Sequence, residues 1–120
     1  LFLHDLTDRT PHKFHMAFPY GYNTSSPKAA GILCSCKKEP YYSLGIALVD
    51  TPAGNTVRAY NAEKTLCEIL KPISHTDIQI ITDAFKRYAG RKDKNIPLLS
   101  EYAHQLRVEK RLRPYLEVLL

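Results

Sequence analysis

Through the first half of the chain, apolar and polar residues alternate with a period of two. Phe14, Met16 and Phe18 alternate with His15 and Ala17. Ile32, Cys34 and Cys36 alternate with Leu33 and Ser35, and Tyr42, Leu44, Ile46 and Leu48 with Tyr41, Ser43 and Ala47. Successive side chains on a strand point to opposite faces, so this pattern predicts half-buried strands. Polar turn clusters at 21–27 and 37–40 separate them. Thr51-Pro52-Ala53-Gly54-Asn55 predicts a hairpin turn into a further strand over Thr56–Tyr60. The connections are short, which predicts a small, mostly antiparallel sheet.

After Tyr60 the period becomes helical. Asn61 is placed to cap a helix, Glu63 falls in its first turn where the dipole favours an anion, and Pro72 stops it. Ile78, Ile81, Phe85 and Tyr88 recur at helical spacing, with Lys86 and Arg87 on the far side. Thr76 and Gln79 form a capping-box pattern, and Gly90 closes that helix. Asn95 caps a third helix with a stripe of Leu98 or Leu99, Tyr102 and Leu106. A fourth carries Val108, Leu112, Tyr115 or Leu116, and Leu119. Strands followed by helices predict an α+β fold, with the N-terminal sheet packed against the C-terminal helices in a single domain over 1–120.

A length of 120 residues with 44% hydrophobic content suits one cored domain. No stretch approaches the roughly 20 apolar residues needed to cross a bilayer. The opening Leu1-Phe2-Leu3 is too short and lacks the basic lead of a signal peptide. Three cysteines fit free thiols in a reducing cytoplasm better than a disulfide framework.

The net charge is +5, and its placement is uneven. Residues 1–83 balance eight Lys/Arg against eight Asp/Glu, whereas residues 84–120 hold nine against four. The whole excess therefore lies on the helical C-terminal third, at Lys86, Arg87, Arg91, Lys92, Lys94, Arg107, Lys110, Arg111 and Arg113. Such a surface attracts nucleic acid or an acidic protein, although solvated helix backs carry similar charge.

Candidate chemistries are few. Cys34 and Cys36 share one strand face with Ile32, and His12 and His15 form an i, i+3 pair. A structural zinc site wants two ligand pairs at knuckle spacing, so core packing is expected for the thiols and no metal or cofactor is assigned. Cys67 lies in a helix beside Glu68, which favours an inert thiol. Asp50, Glu63 and Lys64 form the one pattern resembling a metal-dependent nuclease, the alternative reading of the chain; Glu63 is equally explained by the helix dipole. No phosphate-binding glycine loop and no serine-nucleophile motif occurs. Tyr88, Tyr102 and Tyr115 match the apolar spacing and are expected in the core.

The run Tyr60-Asn61-Ala62-Glu63-Lys64-Thr65-Leu66-Cys67-Glu68-Ile69-Leu70 resembles the Tyr-x-x-Glu-Arg-Thr-like strand-to-helix junction of the AbiEi family, the antitoxin regulators of type IV abortive-infection systems. Leu3-His4-Asp5-Leu6-Thr7-Asp8-Arg9-Thr10-Pro11 and the stretch from Leu99 to Arg113 extend the resemblance in order over nearly the whole chain. It implies the C-terminal antitoxin domain of a larger, cytoplasmic, monomeric protein whose upstream winged helix binds operator DNA. The opening Leu1, in place of Met, fits the same expectation. The implied domain is non-enzymatic, opposes a nucleotidyltransferase-like toxin and assists repression through its basic helices. Tyr60, Glu63, Lys64 and Thr65 would then be structural. Three positions depart from the family pattern. Lys64 stands where Arg is usual, Arg107 occupies a helix joint where Gly is common, and Pro114 interrupts the last stripe. A protein-interaction module docking an acidic partner is a further reading of the same basic surface.

Overall fold

The structure, a computed structural model, describes residues 1–7 and 15–119. Phe14, His12 and the stretch Asp8 to Pro11 of the resemblance lie outside them. A 3-10 turn at Phe2–His4 is followed by β1 (His15–Pro19), α1 (Ser25–Ala29), β2 (Leu33–Lys37), β3 (Ile46–Asp50), β4 (Thr56–Tyr60) and α2 (Ala62–Leu70). A second 3-10 turn at Pro72–Ser74 leads to α3 (Ile78–Ala89), α4 (Ile96–Gln105) and α5 (Glu109–Leu119). The chain is α+β. Its described residues fall into two compact units, 1–7 with 45–119, and 15–44.

The strands do not form one mostly antiparallel sheet. Each unit holds its own two-stranded ladder, and the β1–β2 ladder is parallel. The cause lies in the connection: the polar cluster read as a turn runs into α1, giving a crossover long enough to return the chain in the same direction. In the other unit β3 and β4 pair antiparallel, with Ile46 opposite Tyr60 and Asp50 opposite Thr56. Their turn is closed by Thr51 N–H donating to Asn55 O at 2.7 Å and Gly54 N–H to Thr51 O at 3.0 Å. The alternation from Tyr42 overstates this strand. Tyr42 and Leu44 donate their amides to Lys38 O and Pro40 O, turn bonds that take those two donors away from a ladder, and β3 starts at Ile46.

The core belongs to the helical unit. Leu6, Leu66, Cys67, Phe85, Tyr88 and Leu99 are fully buried in it. Helix α2 is central, packing against α3, α4 and α5 and against the end of β4. Buried residues surround most of its circumference, unlike the one-sided stripes of α3 and α4. Phe85 of α3 stacks on Tyr115 of α5 with ring centroids 4.5 Å apart.

Helix ends follow local chemistry. Asn61 Oδ1 accepts from Lys64 N–H at 2.8 Å and Asn95 Oδ1 from Leu98 N–H at 3.1 Å, the two caps read from sequence. The α3 cap is Asp77 rather than Thr76, its carboxylate accepting from Gln79 N–H at 2.7 Å. At the α4–α5 joint Val108 N–H reaches Ala103 O and Arg107 N–H reaches His104 O, a Schellman closure. That closure requires a left-handed residue, and Arg107 supplies it at φ 59°. Pro114 sits inside α5, which nevertheless begins at Glu109.

Two backbone positions give opposite expectations. Arg107→Gly should stabilise the chain by about 1 kcal/mol, because glycine relieves the left-handed strain. Gly45→Ala should destabilise by roughly 2 kcal/mol or more, since φ is 79° there and a Cβ would stand 2.7 Å from Lys64 Cβ. Urea denaturation of both variants checks the pair.

Candidate functional site

The residues of the Tyr60–Leu70 run converge inside the helical unit. β4 ends at Tyr60, where Asn61 N–H donates to Gly45 O at 2.7 Å and Asn61 begins α2. Asn61 Nδ2 also reaches Tyr102 Oη of α4 at 3.2 Å, so one side chain caps a helix and ties it to its neighbour. Thr65 Oγ1 donates back to Asn61 O at 2.9 Å.

Lys64 is fully buried. Its ammonium lies 3.3 Å from Glu68 Oε1 one turn on, and 3.7 Å from the centre of the Tyr60 ring. Glu68 Oε1 is shared with Lys71, also at 3.3 Å. Burying a charge is tolerated only when it is paired, and an aromatic face adds a further favourable field. Close approach of Gly45 leaves no room for another side chain against the Lys64 stem.

A second, part-buried link runs from Glu63. Its Oε2 accepts from Tyr88 Oη at 2.5 Å, and Tyr88 Oη in turn accepts from Asn95 N–H at 2.7 Å. Burial, followed by the bond to Glu63, pushes the Tyr88 phenol well above its ordinary value, so it stays a donor. His4 Nε2 donates to Tyr60 O at 2.6 Å, and burial holds its pKa below the ordinary histidine value. Tyr60, Glu63, Lys64 and Thr65 therefore connect β4, α2 and α3, and each is committed to a neighbour in the scaffold.

The basic residues divide into two groups. Arg87 Nε donates to Asp83 at 2.9 Å; Arg91 forks onto Asp93 at 2.8 and 2.7 Å and donates to His4 O at 3.0 Å. Lys94 closes back on Ala89 O at 2.8 Å. Lys86, Lys92, Arg107, Lys110, Arg111 and Arg113 are exposed and form no ion pair with a described residue. Lys86 lies in the last turn of α3, Lys92 follows that helix, Arg107 marks the α4–α5 joint, and the other three lie on α5. Arg111, one turn before Tyr115, shares its side of α5, the side that meets α3.

The nuclease set is not brought together. Asp50 is exposed at the turn end of the β3–β4 hairpin, whereas Glu63 follows the opposite end, about 13 Å away along the strand. Among the described residues no group of three or more His, Cys, Asp or Glu is placed to hold a metal. Cys67 is buried, and burial followed by Glu68 pushes its thiol up to about 12. The other two thiols depart from expectation: Cys34 is half-buried and Cys36 exposed, so neither packs a core. Tyr88 and Tyr102 are buried as their spacing required, and Tyr115 is half-buried. Among the described residues no helix is long and apolar enough to cross a membrane. A scan against protein-family models finds no match to the chain, and none of the curated proteins matches it.

Sequence reasoning placed Asn61, Glu63 and Lys64 but missed their partners: Tyr102 for Asn61, Tyr88 for Glu63 and Gly45 against Lys64. No periodic signal marked Gly45, which falls on the polar phase of the Tyr42–Leu48 alternation. Tyr88→Phe should cost about 1–3 kcal/mol in urea denaturation, because Asn95 N–H loses its acceptor and Glu63 its donor. A thiol reagent at neutral pH should label two cysteines per native chain, the third reacting only after unfolding. Because the Cys67 thiol titrates above its ordinary value of 9.0 when folded, its contribution to stability is complete below pH 9 and declines as pH rises toward 12. Melting temperature measured from pH 8 to 11 should fall less in Cys67→Ala than in the parent.

Proposed function

We propose that this chain is a non-enzymatic antitoxin and transcriptional-repressor domain of the AbiEi type, acting in the cytoplasm against a nucleotidyltransferase-like toxin. In this reading it strengthens operator binding by contacting phosphates rather than reading bases. The observation that carries the reading is the division of labour among its polar and charged residues. Tyr60, Glu63, Lys64 and Thr65 are committed to internal contacts. Lys86, Lys92, Arg107, Lys110, Arg111 and Arg113 are exposed without an ion pair to a described residue. Flexible cations at a surface suit the delocalised charge of a phosphate backbone, and their attraction is screened by salt.

The test reverses Lys86, Lys110 and Arg111 to Glu and follows duplex-DNA binding at two salt concentrations, together with protection of cells expressing the cognate toxin. The parent should bind duplexes of unrelated sequence with similar affinity, weakening steeply with salt. The variant should lose about tenfold or more and show a shallower salt dependence. Protection lost while DNA affinity is unchanged would instead assign the surface to an acidic protein partner. Unchanged DNA affinity and unchanged protection would overturn the proposal.

A further inference from the structure

The 15–44 unit has no buried side chain among its described residues. A piece of that size buries too little apolar surface to hold a fold by itself, and such units are commonly fastened by disulfides, metals or partners. Its described residues are distinguished by sulfur. Cys34 and Cys36 are alternate residues of β2, so both thiols stand on one face of the ladder. The parallel register sets Met16 opposite Cys34 and Phe18 opposite Cys36. Residues directly opposite share a face, so the Met16 thioether joins the two thiols, all three drawn from two adjacent strands.

We propose that Met16, Cys34 and Cys36 form a binding site for copper(I). Thiolate and thioether sulfurs are soft donors that select this ion. A zinc site would need four ligands drawn from Cys, His or carboxylates, and no such group of even three exists among the described residues. The strand spacing also argues for chelation over a disulfide. Alternate residues stand about 6.6 Å apart, at the outer limit of the roughly 4.4–6.8 Å that a disulfide spans. A metal with metal–sulfur bonds of about 2.3 Å bridges sulfurs about twice as far apart as an S–S bond does.

The surroundings fit the assignment. Met16 is 46% exposed, Cys36 is exposed and Cys34 half-buried, so the sulfurs are reachable from solvent. Phe18 stacks on Tyr22 with ring centroids 5.0 Å apart, placing an apolar wall beside the Cys36 position. The Cys34 thiol makes a weak bond to Ile32 O at 3.5 Å, which is readily exchanged for a metal. Binding releases two protons to solvent as two copper–thiolate bonds form, and the metal keeps its oxidation state. The site then carries one net negative charge, next to Lys37 and Lys38 in the chain.

The experiment is an anaerobic titration of the whole reduced chain with copper(I) in competition with a chromophoric chelator, followed by X-ray absorption. The expected result is one copper(I) per chain in an all-sulfur shell. Affinity should fall at least about tenfold in Cys34→Ser and Cys36→Ser, fall less in Met16→Leu, and be unchanged in Cys67→Ser. All four substitutions are near-isosteric, and far-UV circular dichroism verifies that each variant is folded. Failure to retain copper(I), a nitrogen or oxygen shell, or binding that survives Cys34→Ser and Cys36→Ser would overturn the assignment.

Discussion

A fully buried ammonium is expensive, and the helical unit is arranged around meeting that cost at Lys64. The charge needs Glu68 one helical turn away and the face of Tyr60 at the end of β4. Those two requirements fix where α2 starts relative to the hairpin. Gly45 must then be glycine, because its backbone runs against the Lys64 stem. Asn61 completes the junction by capping α2 and bonding Tyr102 of α4. Remove Glu68 alone and an uncompensated charge remains inside the protein, a penalty of several kcal/mol.

This constraint sorts the polar residues of the unit. Those of the Tyr60–Thr65 run face inward and are held by neighbours. Arg87, Arg91 and Lys94 are held less tightly, by bonds at the surface. Lys86, Lys92, Lys110, Arg111 and Arg113 are exposed, which is why the proposed function rests on charge presentation. The 15–44 unit has no counterpart to the Lys64 junction. Its described residues offer a ladder, a short helix and a row of sulfurs, and the inferred metal would give it the anchor that packing does not.

Much of the helical unit was legible because its signals are local. Asn61 and Asn95 cap as read, Pro72 and Gly90 stop their helices, and Tyr88, Leu99 and Leu112 fall on the buried stripes. The first half was less legible because pairing is not local. Alternation at Ile32, Cys34 and Cys36 identifies a strand but is silent on its partner's direction, and α1 began within a polar cluster. Burial also failed to follow from alternation, since a two-stranded ladder covers little surface and leaves Cys36 exposed. Lys64 was placed in the run while its burial was not foreseen. That burial depends on Gly45, a position distant in the chain.

The most direct test of the central claim, that the Tyr60–Thr65 run is scaffold built on a buried ion pair, is a double-mutant cycle read by urea denaturation. Glu68→Gln alone should cost about 2–4 kcal/mol, and adding Lys64→Met should restore most of it, because the stranded charge is gone. If the two substitutions instead add within about 0.5 kcal/mol, Lys64 and Glu68 are independent and the account fails.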